Sequence, residues 1–524
     1  MTHWADVEAA NLLEHHQGRQ VFATAITPSG PIHVGNMREV LTSEAIFRAT
    51  RDAGHDCEFI YIADDADPLR KVYPFLHDAY EVHVGKPLRE IPCPDAEGRP
   101  TGCGAHDSYA AHFLEPFLSN LDELGIEPTV LSAYDMYHEG RYADLIRTSL
   151  ERADEIRAII ERISKRQLPK AWAPFNPQCP TCRRISDIRV TDVAPPMISA
   201  ECATCGAFTI DATTPGTGKL PWRIDWPARW VFLGVTFESS GKDHQAAGGS
   251  WQTGQAICRD VFGHAPPYGI MYEFLNLKGQ GAMHSSSGLA VSAADVLRMT
   301  PPEVLRYLLM RQAPRKHIDF DPGLGVLNLV DEFDRFERVF HGVEDNPGTF
   351  TEVERTYELS CPREVPDQLP NKVPYRHLVT VVQMADDVAG VEAILRRSGE
   401  LTGDLDEHDA HELAERVAHV RYWIDHFAPD AVRFEVQPTL PAHDFTDDDR
   451  AFLRDLVAAL SAAEWTGQGI HDAVYEAKGE RKPGEAFKAL YQAILGQDRG
   501  PRAGFFLSSL ERDWVLTRLG EAAG

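Results

Sequence analysis

The chain has 524 residues, of which 43% are hydrophobic, and a formal net charge of −27. This length predicts two to four domains, and the charge argues weakly against nucleic-acid binding, although a local basic surface could still hold a phosphate backbone. No run of 18 apolar residues occurs and residues 1–16 lack an apolar block, so we expect neither a membrane span nor a secretory signal.

A strand, a glycine-bearing turn and a helix are predicted after a first helix in residues 1–20. The apolar run 21–26 leads into Thr27-Pro28-Ser29-Gly30, an amphipathic helix follows residue 36, and a second apolar strand covers 59–63. In such β-α-β units, ligands bind beyond the carboxyl ends of the strands, where helix N-termini attract anions. We therefore expect nucleotide binding here; a tight turn with one surface histidine is the alternative.

Three carboxylates, Asp64, Asp65 and Asp67, follow the second strand. At the end of a parallel strand they would face the same cleft as the first turn. This cluster could receive a cationic substrate or ribose hydroxyls; capping of the next segment by aspartate is the alternative.

Residues 90–112 are rich in glycine and proline before they become helical, and they carry Asp95, Cys103, His106 and His112. Zinc accepts carboxylate, thiolate and imidazole ligands together, so these four residues form a candidate metal site. An exposed loop with incidental cysteine and histidine is the alternative.

Two CxxC pairs, Cys179/Cys182 and Cys202/Cys205, are separated by 19 residues. This spacing predicts a four-thiolate zinc ribbon inserted into a larger domain at about 171–210. The role is structural, because four thiolates leave no open position on the ion. Metal spacing rather than disulfide spacing also predicts a reducing, cytoplasmic setting.

Residues 220–230, LPWRIDWPARW, contain three tryptophans, which are more often core than functional. A strand is predicted at 231–237, followed by Glu238 and then by Asp243 and His244. Polar residues at a strand end favour ligand contact over a plain turn.

A further strand is predicted at 269–275, with Tyr272, and a glycine- and serine-rich loop follows at 277–288. The hydroxyl and N–H groups of this loop could wrap phosphates; a mobile linker is the alternative.

Helices dominate from residue 295 onward, and no convincing parallel strand follows residue 327. The predicted helices cover 330–339, 375–396, 408–427, 447–460, 471–478, 483–495 and 505–519, with linkers near 343–370 and 428–446. We therefore expect a catalytic domain at 1–325 and an all-helical domain at 326–524.

The helical domain carries a basic stretch that suits phosphate positioning, although a solvated charged face is an equal alternative. Its members are Lys478, Arg481, Lys482, Lys488, Arg499 and Arg502.

Together these motifs resemble those of the class I aminoacyl-tRNA synthetases, in particular the archaeal-type lysyl-tRNA synthetases, over nearly the whole chain. Residues 28–36 resemble the HIGH motif, and residues 64–71 (DDADPLRK), 220–230 and 241–244 (GKDH) match further segments. The resemblance implies an α/β fold. It consists of a Rossmann-like, doubly wound parallel-sheet catalytic domain with zinc-binding insertions at about 90–112 and 171–210, followed by an all-α, anticodon-binding helical cage.

The resemblance also implies a function: ATP-dependent activation of L-lysine and its transfer to tRNA(Lys), with Mg²⁺ and Zn²⁺, in the cytoplasm and without DNA or a membrane. The implied ATP-binding residues are Pro28, Ser29, Gly30, His33, Gly35, Asn36, Met283, His284, Ser285 and Ser286, and the catalytic ones are His33, Asn36, Lys278, Ser285 and Ser286. The expected lysine-binding residues are Ala25, Thr27, Asp64, Asp65, Glu238, Asp243, His244 and Tyr272. A buried ammonium needs a carboxylate, which the acidic residues of this set would supply.

One motif departs from the family. The loop that reads roughly KMSSSKG in lysyl enzymes has Ala282 and Ser287 in place of both lysines, and Ala25 replaces a glycine in the pocket. Loss of one preorganised donor typically costs about 10²–10³ in rate, so Lys278 or a protonated His284 would have to substitute. Two alternatives follow: a paralogue that acts outside translation, and a catalytically inactive tRNA-binding protein.

Overall fold

The computed structural model describes residues 2–279, 281–282 and 291–524, of which 281–282 are described by their backbone alone. The chain forms two compact units whose segments alternate along the sequence. Unit 1 comprises Met1–Val296, Leu305–Phe320 and Gly348–Val365, and unit 2 comprises Leu297–Val304, Asp321–Pro347 and Pro366–Gly524.

Unit 1 begins with alternating helices and strands. They are α1 (Trp4–His15), β1 (Gln20–Ile26), α2 (Val34–Asp52), β2 (Cys57–Ala63), α3 (Tyr109–Glu123), β3 (Thr129–Ser132), α4 (Ala133–His138), α5 (Ala143–Glu151) and α6 (Ala153–Ser164). Short 3₁₀ helices lie at Asp78–His83 and Leu88–Glu90.

A strand-rich insertion follows α6. It contains β4 (Asn176–Pro177), β5 (Ile188–Ala194), β6 (Met197–Cys202), β7 (Gly206–Asp211) and β8 (Gly218–Lys219). Strands β5, β6 and β7 form an antiparallel sheet, and β4 pairs antiparallel with β8. The insertion therefore extends to residue 219, beyond the predicted limit near 210, because its last strand returns to pair with its first.

The chain then continues through short strands and helices to the start of unit 2. These are α7 (Trp222–Leu233), β9 (Phe237–Glu238), β10 (Ser240–Gly241), α8 (Lys242–Gln245), α9 (Ser250–Asp260), β11 (Met271–Tyr272), β12 (Leu275–Leu277), β13 (Gly281–Ala282), α10 (Ala293–Met299), α11 (Pro302–Met310) and β14 (Ile318–Phe320). The strand predicted at 231–237 is mostly wrong, because the tryptophan segment is a helix that ends at Leu233 and is followed by Gly234 in the left-handed conformation (φ 65°).

The central sheet of unit 1 has four parallel strands in the order β3-β2-β1-β9. Strands β1 and β2 pair over seven residues, from Gln20 opposite Cys57 to Ile26 opposite Ala63. Both are almost continuously apolar and buried, as expected of a parallel sheet covered on both faces. The predicted β-α-β unit and α/β class are confirmed. Strand order reverses between β1 and β9, which is where parallel sheets bind ligands.

Unit 2 is built from helices, and none of its residues, all of which are described, forms a strand. Helix α13 (Val353–Ser360) belongs to unit 1. The helices that lie wholly within unit 2 are α12 (Leu324–Phe340), α14 (Tyr375–Val381), α15 (Val388–Arg397), α16 (Glu407–His426), α17 (Asp447–Ala462), α18 (Gly467–Lys478), α19 (Pro483–Leu495), α20 (Ala503–Ser508) and α21 (Arg512–Ala523). Leu453, Ile470, Leu490 and Phe506 lie in a hydrophobic cluster formed by the last five helices.

Across the described ranges, no helix has both the length and the apolar composition required to cross a membrane.

Candidate active site

Two adjoining cavities lie at the carboxyl ends of the central strands. The carboxylate cavity, of about 400 Å³, is lined by residues from the ends of β1, β2 and β9 and from α7. The turn cavity, of about 330 Å³, is lined by the glycine-bearing turn and by residues near β10 and β11. Both are lined by Ala25, Thr27, Glu39 and His244, so these four residues mark their shared edge.

The glycine-bearing turn forms one wall of the turn cavity. Ser29, Gly30 and Asn36 line it, and Asn36 Oδ1 accepts the His33 N–H at 3.3 Å at the start of α2. A Cβ on Gly30 would lie 2.7 Å from the Phe75 ring, so only glycine fits there without a shift of that ring. Pro28 and His33, which precede α2, and Gly35, in its first turn, line neither cavity.

Glu39, which the sequence analysis missed, stands between the two cavities. Its carboxylate accepts the Ala25 N–H at 3.1 Å and the Tyr272 hydroxyl at 2.9 Å. Burial raises the pKa of Glu39 to about 7. Among the residues that the structure describes, no cation lies within salt-bridge distance of it. The one sequence feature that could have indicated Glu39 is its position near the start of α2, the helix that follows the glycine-bearing turn.

Glu238, predicted as a lysine ligand, is the second carboxylate of the carboxylate cavity that has no cationic partner among the described residues. It is buried at the end of β9 and accepts the indole N–H groups of Trp226 at 2.9 Å and Trp230 at 2.6 Å. Burial raises the pKa of Glu238 to about 8. The spacing of the tryptophans by four residues places their indoles on one face of α7.

The other carboxylates of this cavity are neutralised. Arg229 pairs with both Asp64 and Asp225, and Lys219 pairs with Asp67. Asp64 therefore lines the cavity but already has a cationic partner.

The structure does not bring Asp65 to either cavity, in contrast to its predicted role. Its carboxylate turns toward β3 and α4 instead, where it accepts the Ser132 hydroxyl at 2.6 Å and the Tyr134 N–H at 2.8 Å.

The remaining predicted lysine ligands do line the cavities. Asp243 and Tyr272 line the turn cavity, and His244 lies at the shared edge with its Nδ1 2.9 Å from the Ser250 hydroxyl. Burial lowers the pKa of His244, which favours the neutral imidazole. Trp222, 39% exposed, lines the carboxylate cavity and stacks on Trp226 with ring centroids 4.7 Å apart.

The predicted ATP-binding residues Met283, His284, Ser285 and Ser286 lie outside the described residues. Lys278 precedes them, and its N–H donates to the Phe320 carbonyl at 2.9 Å, which continues the pairing of β12 with β14.

The four predicted ribbon cysteines come together in the insertion. The sulfur atoms of Cys179, Cys182, Cys202 and Cys205 all lie within 4.8 Å of one another, and those of Cys182 and Cys202 are 3.6 Å apart. Tetrahedral zinc with Zn–S bonds of about 2.3 Å requires sulfur atoms about 3.8 Å apart, so this set fits a zinc ion.

A second group contains Cys93, Cys103 and His112, whose ligand atoms also lie within 4.8 Å of one another. His106 Nδ1 lies 3.0 Å from Cys103 Sγ, and hydrogen bonding with Cys93 lowers the pKa of Cys103 to about 5. This thiolate and the nearby imidazoles fit a zinc ion.

Asp95 does not join this group, and Cys93, which the sequence analysis did not select, takes its place. The Asp95 carboxylate accepts hydrogen bonds from its own loop: from the N–H groups of Glu97 at 3.0 Å and Arg99 at 2.8 Å, and from the Thr101 hydroxyl at 2.6 Å.

Comparison with known proteins agrees with this geometry. A family model described as tRNA synthetases class I (K) matches residues 2–363. The chain is 44% identical to a lysine–tRNA ligase of Methanosarcina barkeri, over 99% of this chain and 98% of that protein. It is 43% identical to lysine–tRNA ligase 1 of Methanosarcina acetivorans, with 99% and 98% covered, and 43% identical to a lysine–tRNA ligase of Archaeoglobus fulgidus, with 99% of both covered. The chain therefore belongs to the class I lysyl-tRNA synthetase family.

Proposed function

We propose that this lysyl-tRNA synthetase activates L-lysine with ATP in the two adjoining cavities and transfers the lysyl group to tRNA(Lys). The observation that carries the assignment of the site is the pair of uncompensated carboxylates, Glu39 and Glu238, beside a glycine-bearing turn at the sheet's switch point. A buried carboxylate without a cationic partner is costly, and the ammonium group of lysine would remove that cost.

The lysine side chain is assigned to the carboxylate cavity, with its ε-ammonium group on Glu39. The Tyr272 hydroxyl and the Ala25 N–H hold the Glu39 carboxylate in place, so little reorganisation is needed when the cation binds. Trp222 and Trp226 offer apolar faces for the methylene chain, and His244 lies at the shared edge, where the α-carboxylate would meet ATP.

The ATP phosphates are assigned to the turn cavity. Helix α2 is 19 residues long and begins at this turn, so its dipole favours an anion there. His33 and Asn36 would position the phosphates, and Mg²⁺ bound with ATP supplies additional positive charge on the phosphate oxygens.

Two displacements make up the reaction. An oxygen of the lysine α-carboxylate attacks the α-phosphorus of ATP, and pyrophosphate leaves with the electron pair of the broken P–O bond. A hydroxyl of the terminal tRNA ribose then attacks the lysyl carbonyl carbon, and AMP leaves. No side chain of the protein forms a covalent bond, so catalysis depends on positioning and charge stabilisation.

The altered loop requires a substitute for its two lysines. We assign this role to Lys278, or to His284 when protonated, both of which are close in sequence to Ala282 and Ser287, the residues that replace the two lysines.

Zinc is assigned to both cysteine-containing groups, with Cys179, Cys182, Cys202 and Cys205 as a structural site. Cys93, Cys103 and His112, with His106 alongside, are assigned as the second site.

The helical part, 326–524 in the proposed domain division, is assigned to reading tRNA. A cleft of about 870 Å³ in unit 2 is lined by aromatic and cationic side chains, among them Tyr475, Phe487, Lys488, Arg499 and Arg502. Aromatic faces beside lysine and arginine suit splayed bases and their phosphates. Lys488 pairs at 3.2 Å with Asp498, which also lines the cleft. Arg481 does not line the cleft and pairs with Asp448 at 3.3 Å. The proposed location is the cytoplasm.

Exchange of pyrophosphate into ATP, measured with a panel of amino acids and with and without tRNA, tests this proposal. We expect exchange with lysine, and lysylation of tRNA(Lys). Exchange with lysine but no charging of tRNA would favour the paralogue that acts outside translation, and tRNA binding without exchange for any amino acid would favour the inactive protein. Either result would contradict the proposal.

A further inference from the structure

The base of the cysteine insertion, which we call the neck, consists of residues 176–179, 183 and 218–219. Strands β4 and β8 pair there, with Asn176 opposite Lys219 and Pro177 opposite Gly218. Cys179 of the four-cysteine group lies two residues after one side of this pair, and α7 of the carboxylate cavity begins three residues after the other. The neck thus joins the two sites along the chain.

Lys219 extends from the neck to the acidic edge of the carboxylate cavity. It is only 4% exposed, and its ammonium group pairs with Asp67 Oδ1. The other oxygen of Asp67 accepts the Thr27 hydroxyl at 3.3 Å, and both Asp67 and Thr27 line the cavity. Lys219 therefore occupies a carboxylate that would otherwise face a bound substrate.

The next residue adds a second connection. The Leu220 N–H donates to the Tyr137 hydroxyl at 3.0 Å, and that hydroxyl donates to Asp225 Oδ1 at 2.8 Å. Asp225 pairs with Arg229, which also pairs with Asp64. The neck thus reaches three of the five carboxylates that line the cavity.

The other side of the neck is anchored by Arg183, the residue after Cys182, to the segment of unit 1 that carries Glu90. Its guanidinium binds Glu90 through two hydrogen bonds, at 3.0 and 2.6 Å, and Gln178 Nε2 donates to the same carboxylate at 3.0 Å. Arg183 adopts a left-handed conformation (φ 64°), which is uncommon for a residue with a side chain.

We infer that Lys219 is a positioning and specificity residue for lysine, and that the neck holds it in place. By occupying Asp67, Lys219 leaves Glu39 and Glu238 as the only carboxylates of the carboxylate cavity, among the described residues, that have no cationic partner. The substrate's ε-ammonium can then bind only beside these two glutamates, and Asp67 does not compete for it. This inference rests on the proposed function and names how its site selects among diamino acids.

Removal of the Lys219 ammonium frees Asp67 as a competing acceptor. Lysine would then bind in more than one position, and a diamino acid one methylene shorter, such as ornithine, would find an acceptor at a different depth. In the Lys219→Met variant we expect the lysine KM to rise about tenfold, and the lysine-to-ornithine ratio of kcat/KM to fall by a similar factor. The ATP KM should change less than about twofold.

The double variant Lys219→Met/Asp67→Asn should restore selectivity. It removes both charges, so no carboxylate at position 67 competes for the substrate's ammonium group, and most of the lost preference for lysine over ornithine should return. Paired removal of buried charges is also far better tolerated than removal of one partner, so the double variant keeps the test informative if Lys219→Met does not fold.

Arg183→Ala tests the anchor, and Arg189→Ala is the matched control, because Arg189 pairs with Glu201 in the same insertion but away from the neck. We expect a higher lysine KM for Arg183→Ala only, with equal zinc content by elemental analysis in both variants. Zinc content and thermal unfolding are measured for every variant.

The inference is overturned if folded, zinc-loaded Lys219→Met keeps the wild-type lysine KM and selectivity, or if the double variant shows no recovery over the single variant. If Lys219→Met does not fold, the inference is overturned when the double variant has a lysine-to-ornithine ratio of kcat/KM far below that of the wild-type enzyme. Absence of lysine-dependent exchange in the wild-type enzyme would instead refute the proposed function.

Discussion

The Tyr272 hydroxyl donates to Glu39 Oε2 at 2.9 Å at the edge shared by the two cavities. Tyr272 lies in β11 and Glu39 near the start of α2. The contact therefore joins the helix after the glycine-bearing turn to the opposite wall of the turn cavity. Burial raises the pKa of Glu39 to about 7, whereas the hydrogen bonds from the Ala25 N–H and the Tyr272 hydroxyl stabilise its charged form.

Glu39→Gln removes the negative charge and keeps the shape of the side chain. A hydrogen bond to a charged group contributes about 1.5–3 kcal/mol, so we expect the lysine KM to rise about 10- to 100-fold. The ATP KM should stay near its wild-type value. Glu58→Gln, which alters a pair with Arg19 at the other end of the sheet, is the control. An unchanged lysine KM would show that Glu39 does not bind the substrate.

Lysine binding should depend on pH through Glu39. Because burial raises the pKa of Glu39 to about 7, its carboxyl is neutral below that pH and must lose a proton before it pairs with an ammonium. We expect lysine affinity to fall by up to about tenfold per pH unit below pH 7 and to level off above it. Calorimetry in buffers of different ionisation enthalpy should detect proton release at pH 7. The Glu39→Gln variant should lack both effects.

Glu238 should make stability depend on pH. Burial raises the pKa of Glu238 from 4.5 to about 8, so its ionisation opposes folding, and stability is lost as the pH rises through this range. Glu238→Gln cannot ionise, but it leaves one indole N–H without an acceptor, at a cost of about 1–3 kcal/mol. The variant should therefore have a lower Tm than the wild type at pH 5.5, and this difference in Tm should be smaller at pH 9. A difference in Tm that does not change with pH would contradict this account.

The second metal group distinguishes Cys93 from Asp95. Cys93→Ala should lower the zinc content by one ion per chain, because its sulfur lies within 4.8 Å of the other ligand atoms. Asp95→Ala, the matched control in the same loop, should retain both ions, because its carboxylate bonds only to the loop. Zinc loss in Asp95→Ala and none in Cys93→Ala would reverse the assignment.

Lys278→Ala tests the substitute for the missing loop lysines. If Lys278 stabilises the pyrophosphate leaving group, the exchange rate should fall about 10²–10³-fold while the lysine Kd is unchanged. Lys316→Ala is a control that removes a lysine next to β14, the strand paired with β12. Wild-type exchange in Lys278→Ala would show that another group performs this role.

Local signals account for the helices that were predicted well. Helix α19 runs from Pro483 to Leu495, the range expected from the sequence, because proline suits the first helical turn and Gly496 ends the helix in the left-handed conformation (φ 68°). The predicted helix over 375–396 instead breaks in two, because the side chain of Asp387 caps a new helix. Helix α13 falls in a stretch predicted as a linker.

The site was only partly predictable, because side-chain direction is a tertiary property. The strand end after β2 indicated the cleft, but Asp65 turns toward Ser132 while Asp64 faces Arg229, and no local pattern separates the two. Glu39 carried no motif of its own; its role emerges from the Tyr272 hydroxyl, more than two hundred residues away in sequence. The domain division at residue 325 stays a prediction.

A crystal structure of the enzyme with lysine and a non-hydrolysable ATP analogue tests the assignment of the two cavities. We predict the ε-ammonium within hydrogen-bonding distance of Glu39 and the triphosphate beside His33 and Asn36, with the lysine carboxylate directed at the α-phosphate. A lysine side chain bound away from Glu39, or a triphosphate lodged elsewhere than the glycine-bearing turn, would contradict it.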